Sequence, residues 1–291
     1  MSFDDLPPLP PQVNPDAQAY IDRVCSLSRA AYKTARGEFD IPYGYDYWQK
    51  VDVFAPLASG QQKLPVLCFM HGGAWVSGSK EWMAFMAAPI TALPSILVSV
   101  NYRLAPAARF PAPMDDCFDA LAWVYRHIAR FNGDSERIYV GGHSAGAHLA
   151  ALLTLRPELS VARGLPRDIV KACFAVSGVF DMRAKDPVPG SLEDRIYTQV
   201  LARPEDDAMA SPVSYVDGNT TPFFITWGER DYEMVIRQSR AMVSALRTQP
   251  CRLAFEEMMG CDHFKTNEDA QRIDSPWVRR VHDWMRGDVA A

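Results

Sequence analysis

Six cysteines in 291 residues, none in a Cys-x-x-Cys spacing, are too few and too scattered for a disulfide framework or a zinc site. Cys25, Cys68, Cys117, Cys173, Cys251 and Cys261 are expected as buried thiols, several of them inside apolar runs. No apolar stretch approaches the ~20 residues that cross a bilayer, so no membrane span is expected. The chain opens Met1-Ser2-Phe3-Asp4-Asp5, acidic and proline-rich where a secretory signal would be basic and then apolar, and a cytoplasmic protein is expected. Basic runs are absent beyond Arg279-Arg280, and the net charge is -5. Nucleic acid and anionic lipid are therefore excluded as partners. There is no clustered His/Cys/carboxylate motif and no phosphate-cradling glycine loop, so neither metal nor cofactor is expected. No repeat and no low-complexity tract interrupts the chain. A partner, if any, is a small molecule, and the oligomeric state stays open, a homodimer included.

With 48% hydrophobic and 22% charged residues, the sequence suits one large α/β domain better than two small ones. Leu6 to Pro15 should be extended, and apolar residues at Tyr20, Ile21, Val24, Leu27 and Ala31 predict a helix from about Asp16 to Arg36. Residues 1–43 thus form an expected N-terminal arm, and 44–291 the main domain. Its first strand is expected within Gly44 to Pro56. Continuous apolar runs at Leu64 to Met70 and Ser95 to Val100 suit strands covered on both faces, as in a largely parallel sheet with helices on either side. Further strands are expected at Arg137 to Val140, Ala172 to Ser177, Phe223 to Trp227 and Arg252 to Met258, with helices at Met114 to Phe131 and Pro276 to Arg286. The interval of about 179–221 lacks a strand pattern and has short helical pieces such as Ser191 to Leu201. A cap insertion is expected there.

Gly142-His143-Ser144-Ala145-Gly146 lies between a strand and a helix. A serine hydroxyl needs a base to become a nucleophile, and a sharp turn flanked by small residues exposes its oxygen. Partners follow in the order acid, then histidine, at later strand ends. After Trp227 comes Gly228-Glu229-Arg230-Asp231, and after Met258 comes Gly260-Cys261-Asp262-His263. Ser144, Asp231 and His263 are the candidates for nucleophile, acid and base. Glu229 and Asp262 are rival acids; Asp231 is preferred because a residue just past a strand-end turn projects more easily into a site. His143 and His148 read as packing or supporting residues, and His127 and His282 as ordinary helix-face positions. His71-Gly72-Gly73-Ala74-Trp75 follows a strand, and its glycines allow backbone N–H groups to approach a developing oxyanion. Gly73, Ala74 and Ala145 are the expected donors, with His71 and Trp75 holding or walling the loop, and His71 as a direct acid the weaker option. Trp75, Trp82, Tyr102 and Phe180 are candidate pocket walls.

The His71 loop, Asn101-Tyr102-Arg103-Leu104-Ala105-Pro106 and the serine turn resemble the hormone-sensitive-lipase-like esterases of the α/β-hydrolase superfamily. The run from His71 to Met86, Gly142 to Ala150, Ser177 to Asp181 and Asp262 to Phe264 more closely resembles the kynurenine formamidase (arylformamidase) family, over about Gly44 to Asn267. That resemblance implies the same three residues and the same oxyanion loop. Ala74 departs from both groups, which usually have glycine or tyrosine there, and Arg103 to Pro106 is more like the esterases. The implied activity is cofactor-free hydrolysis of a small carboxylic ester or an aryl formamide through an acyl-enzyme. A carboxylesterase for short-chain or aryl esters is the alternative, and a non-catalytic ligand-binding protein on the same fold is the third.

Overall fold

The computed structural model describes residues 6–10, 15–57, 60 and 62–287. The extended start expected for Leu6 to Pro15 falls partly on residues 11–14, outside the described residues. Eight strands among the described residues form one sheet: β1 (Arg36–Pro42), β2 (Lys50–Ala55), β3 (Leu64–Met70), β4 (Ile96–Val100), β5 (Gly133–His143), β6 (Val170–Val176), β7 (Phe223–Arg230) and β8 (Leu253–Asp262). Their order is β1-β2-β4-β3-β5-β6-β7-β8. Pairing is antiparallel from β1 through β2 to β4 and parallel from β4 to β8.

The helices are α1 (Pro15–Thr34), α2 (Ala87–Ala92), α3 (Ala112–His127), α4 (Ala145–Leu155), α5 (Pro157–Val161), α6 (Leu192–Arg195), α7 (Glu233–Leu246), α8 (Lys265–Glu268) and α9 (Pro276–Arg286). Every residue of β3 is buried, because side chains alternate between two covered faces. Val66, Cys68 and Met70 pack with α3, α4 and α7 on one side. Leu67 and Phe69 pack with α1, α9 and the 3₁₀ turn Lys80–Met86 on the other. The last helix starts where Ser275 accepts a hydrogen bond from the Val278 N–H and stops at Gly287 with φ 81, the two end signals that its sequence carries.

The sheet begins earlier than the expected boundary at 43. Residues 36–42, read as part of an arm, are its outer strand, and only Lys50–Ala55 of the expected Gly44 to Pro56 strand is extended. An edge strand needs no continuous apolar run, and Arg-Gly-Glu-Phe-Asp-Ile-Pro has none. Asp46 instead turns the chain, its carboxylate accepting from the Trp48 N–H at 2.9 Å.

A buried charge group ties this N-terminal segment to the sheet. Lys80 Nζ, fully buried, lies 2.8 Å from Asp40 on β1, 2.9 Å from Asp52 on β2 and 2.6 Å from Glu81. Tyr32 of α1 donates to Asp52, and the Asp40 N–H donates to the other Asp52 oxygen at 2.7 Å. Burial pushes the Asp52 carboxyl up to about 6 against the pull of Lys80.

Lys80→Met would leave these carboxylates without their cation, and should lower stability by about 3–5 kcal/mol. Without Lys80, Asp52 should titrate higher still. A carboxyl raised in the folded state contributes stability that is complete below its ordinary value of 3.8 and lost as pH climbs through the folded value. The deficit, read by urea unfolding, should therefore be smaller at pH 5 than at pH 8. Equal deficits at the two pH values would contradict the account.

Candidate active site

The site grows from the turn between β5 and α4. Ser144 has φ 55 and ψ -117, a conformation costly for a residue with a side chain and held here by its surroundings. Its N–H donates to Val176 O of β6 at 2.9 Å. Helix α4 passes so close that a Cβ on Gly146 would stand 2.1 Å from Met70 O, and one on Gly142 would stand 2.3 Å from the Gly146 carbonyl carbon. Both glycines are steric requirements of the turn.

Loops after β7 and β8 bring two further side chains to the serine. Ser144 Oγ lies 2.9 Å from His263 Nε2, and His263 Nδ1 lies 2.7 Å from Asp231 Oδ1. Asp231 also accepts from the Ser177 hydroxyl at 2.6 Å, the Tyr232 N–H at 2.8 Å and the Gly228 N–H at 3.3 Å. Burial pushes its carboxyl up, but the charge and hydrogen bond of His263, with the bonds from Ser177 and Gly228, more than offset this and hold it below the ordinary value. A carboxylate there places the imidazole proton on Nδ1 and leaves Nε2 to accept from the serine. The rival acids lie elsewhere. Glu229 accepts from the Gly260 N–H, and Asp262 accepts from the Phe264 and Lys265 N–H groups, capping the turn that carries His263.

Three successive residues, Gly73, Ala74 and Trp75, have φ of 121, 52 and 61. The turn closes where Gly73 O accepts from the Val76 and Ser77 N–H groups. Among the described residues, the N–H groups of Gly73, Ala74 and Ala145 meet no acceptor. Together with Ser144, Gly73 and Ala74 line one cavity. Such donors can hold an anion beside the serine.

Three buried histidines brace this arrangement. His71 stacks on Tyr102 with ring centres 4.3 Å apart, and its Nδ1–H donates to Gly72 O. The Tyr102 hydroxyl donates to His71 O at 2.9 Å. His148 accepts from Trp75 Nε1 at 3.1 Å and donates from Nε2 to Ala210 O at 2.6 Å, joining the loop and α4 to the 179–221 segment. His143 donates from Nε2 to His263 O at 2.8 Å. Burial lowers His71 and His148 to about 4 and His143 to about 3, so all three are neutral at pH 7. Ser177 and Thr266 were not singled out by sequence. Ser177 has φ 51 directly after β6, and Thr266 donates to His263 O at 2.7 Å. The end of a strand beside the serine strand is the signal that could have located Ser177.

The cavity encloses about 430 Å³ and is walled by Tyr20 and Ile21 of α1, Trp82, Val179, Met234 and Phe264, with Leu192, Glu193 and Arg195 of α6. Trp82 lines this cavity. Trp75, Tyr102 and Phe180 do not: they are at most 1% exposed and belong to the core. Trp75 and Tyr102 turn inward to carry the loop's hydrogen bonds, while Phe180 packs beneath the segment, its N–H held by Gln238. Among the described residues, no group of His, Cys, Asp or Glu is arranged to hold a metal ion, and no helix is long and apolar enough to cross a membrane.

A family model described as BD-FAE matches residues 51–246. Esterase LipQ of Mycobacterium tuberculosis is 35% identical over 224 residues, covering 72% of this chain and 52% of LipQ. The chain spans a little over half the length of LipQ and of the related mycobacterial esterase LipC. Kynurenine formamidase of Danio rerio is 25% identical over 264 residues, covering 90% of this chain and 85% of that protein. An esterase of Pyrobaculum calidifontis superposes with a TM-score of 0.76 at 23% identity, covering 98% of this chain and 100% of its own. The sheet and helices are those of the α/β-hydrolases. Matched from β2 to the end of α7 by the family model, this chain belongs to the BD-FAE family.

Proposed function

We propose that this chain is a cofactor-free serine hydrolase that cleaves small carboxylic esters or aryl formamides through an acyl-enzyme at Ser144. The observation that carries the reading is the line Ser144–His263–Asp231, at 2.9 and 2.7 Å, facing a cavity beside three unengaged N–H groups. His263 removes the serine proton as Oγ attacks the substrate carbonyl. Asp231 keeps the imidazole oriented and stabilises its charged form. The N–H groups of Gly73, Ala74 and Ala145 receive the negative oxygen, with Ala145 helped by its place at the start of α4. The leaving alcohol or amine takes the proton from His263, and water then repeats the sequence on the acyl group.

Two substrate classes fit this chemistry. Kynurenine formamidase covers nearly the whole of this chain, while LipQ is the more identical over a shorter stretch. The aromatic walls of the cavity, Tyr20, Trp82 and Phe264, favour a planar leaving group, which an aryl formamide such as N-formylkynurenine and a small aryl ester both supply. A general short-chain carboxylesterase is the second reading, favoured by the identity to LipQ. Six unpaired cysteines suit a reducing, cytoplasmic setting.

Ser144→Ala should lower kcat by roughly 10⁴- to 10⁶-fold with the thermal unfolding midpoint retained. His263→Ala should be nearly as damaging. Asp231→Asn should cost about 10⁴-fold, whereas Glu229→Gln and Asp262→Asn should leave kcat within a few-fold of the parent. Greater harm from either of the last two would reassign the acid.

On a panel of aryl formamides and nitrophenyl esters, kcat/KM should fall once the acyl chain exceeds about four carbons, each ill-fitting methylene being worth ~1–3 kcal/mol. Fast hydrolysis of long-chain esters with no turnover of formamides would leave the general carboxylesterase standing in place of the formamidase.

A further inference from the structure

His263 engages one oxygen of the Asp231 carboxylate, and a residue outside the cavity wall holds the other. Oδ1 meets His263 Nδ1 at 2.7 Å, while Oδ2 accepts from the Ser177 hydroxyl at 2.6 Å. Ser177 directly follows β6, is fully buried, and does not line the cavity. Its N–H donates to Thr226 O of β7 at 2.7 Å. A second hydroxyl stands behind it. Thr266 Oγ1, also buried, lies 2.9 Å from Ser177 Oγ and donates to His263 O at 2.7 Å. The two hydroxyls thus join the carboxylate after β7 to the backbone of the base after β8.

Ser177 stands where a side chain is unfavourable. Its φ of 51 lies in the left-handed region, which glycine enters without penalty and serine does not. The glycine beside it, Gly178, has no positive φ, so the strained place is held by the residue that has a hydroxyl. What serine adds over glycine there is one donor, aimed at a buried carboxylate. The protons can be counted. Three contacts, Asp231 to Ser177, Ser177 to Thr266 and Thr266 to His263 O, are served by two hydroxyl protons. An ionised carboxylate only accepts, so the Ser177 proton goes to Asp231 and leaves Ser177 Oγ as an acceptor. His263 O has a second donor in His143, so the Thr266 proton can turn to Ser177 without leaving that carbonyl unpaired. Both hydroxyls then point towards Asp231 and polarise one another.

We propose that Ser177 is a positioning residue for the hydrolysis: its hydroxyl, backed by Thr266, fixes the rotation of the Asp231 carboxylate so that Oδ1 faces His263 Nδ1 throughout turnover. It touches neither substrate nor the reacting atoms and acts through Asp231. The Gly228 N–H also reaches Oδ2, at 3.3 Å, and Ser177 supplies the short bond. The assignment rests on the hydrolase reading and deepens it. With the hydroxyl gone, part of what holds the Asp231 carboxyl below its ordinary value is lost. The proton that disables the Asp231–His263 pair is then bound more tightly, whichever of the two carries it. Two rings face His263 across the site, that of His143, which burial keeps neutral, and that of Tyr232, with centres 4.8 and 4.7 Å away. Tyr20 stands behind His143, burial raising its hydroxyl, and Asp262 is turned to the Phe264 and Lys265 N–H groups.

The test joins kinetics to a pH profile, with a nitrophenyl acetate and an aryl formamide as substrates. Ser177→Ala should lower kcat by about 10- to 100-fold with KM changed by less than about twofold. The acid limb of its kcat/KM profile should move up by about half a pH unit or more. Ser177→Gly removes the strain along with the hydroxyl, so it should unfold at a higher temperature than Ser177→Ala and yet share its kcat and its limb. Thr266→Val should move the limb the same way by less, and Thr266→Ser should restore it. Ser239→Ala, which removes a buried hydroxyl of α7 that has no partner among the described residues, should change neither kcat nor the limb. An unmoved limb in Ser177→Ala, or a kcat regained in Ser177→Gly, would make Ser177 a merely structural residue and refute the proposal, while the hydrolase reading stands. If the parent protein hydrolyses neither substrate, the hydrolase reading fails. The hold on Asp231 is then decided by proton NMR of the His263 Nδ1–H, identified by its loss in His263→Ala. That signal should move in Ser177→Ala and stay in place in Ser239→Ala, and an unmoved signal in Ser177→Ala would refute the proposal.

Discussion

The closeness of α4 to the end of β3 governs the rest of the site. With Gly146 against Met70 O, nothing larger than hydrogen fits between helix and strand, and the helix must begin where the strand ends. That one contact sets Ser144 at the apex, beside the cavity, and brings the His71 loop against it, where a Cβ on Gly72 would stand 3.3 Å from Ser144 Cβ. The strain at Ser144 is held by the bond its N–H donates to Val176 O and by the close packing of Gly142 and Gly146 on either side. A side chain at Gly146 would separate two elements that every later feature takes as fixed.

Four histidines gather around this contact, and their surroundings divide their labour. His71, His143 and His148 each spend an N–H on a backbone carbonyl, of Gly72, His263 and Ala210 respectively. Burial keeps them neutral, so they act as rigid donors and place no cation near the serine. His263 alone of the four has a carboxylate at one nitrogen and the serine at the other. What separates the four is the partner that the fold gives each ring.

The features legible in the sequence were those that local backbone demands impose. Gly142 and Gly146 announce a turn whatever the rest of the chain does, and the later order of Asp231 and His263 follows from strand-end loops. The apolar runs of β3 and β4 disclose burial on both faces. Other features depend on what folds against what. Tyr20 and Ile21 look like any apolar stripe on an amphipathic helix, yet they wall the cavity. Trp75, Tyr102 and Phe180 carry the aromatic mass expected of a pocket, but packing turned them into the core. β1 lacks an apolar run because its charged residues face solvent or Lys80. Ser177 sits in a short motif noticed for its resemblance, while its bond to Asp231 spans 54 positions and leaves no local trace.

The cavity wall has a consequence for how the molecule is made. Tyr20 stacks on Phe264 and receives a hydrogen bond from Asn267, 247 positions further along. Synthesis at ~5–20 residues per second separates these partners by roughly 12–50 s. Until they are joined, Tyr20 lacks Phe264 and Asn267, which cover one side of its ring. Helix α1 therefore docks in two stages: Ser28 and Tyr32 find Trp82 and Asp52 early, while the end around Tyr20 waits for the C-terminal part of the chain.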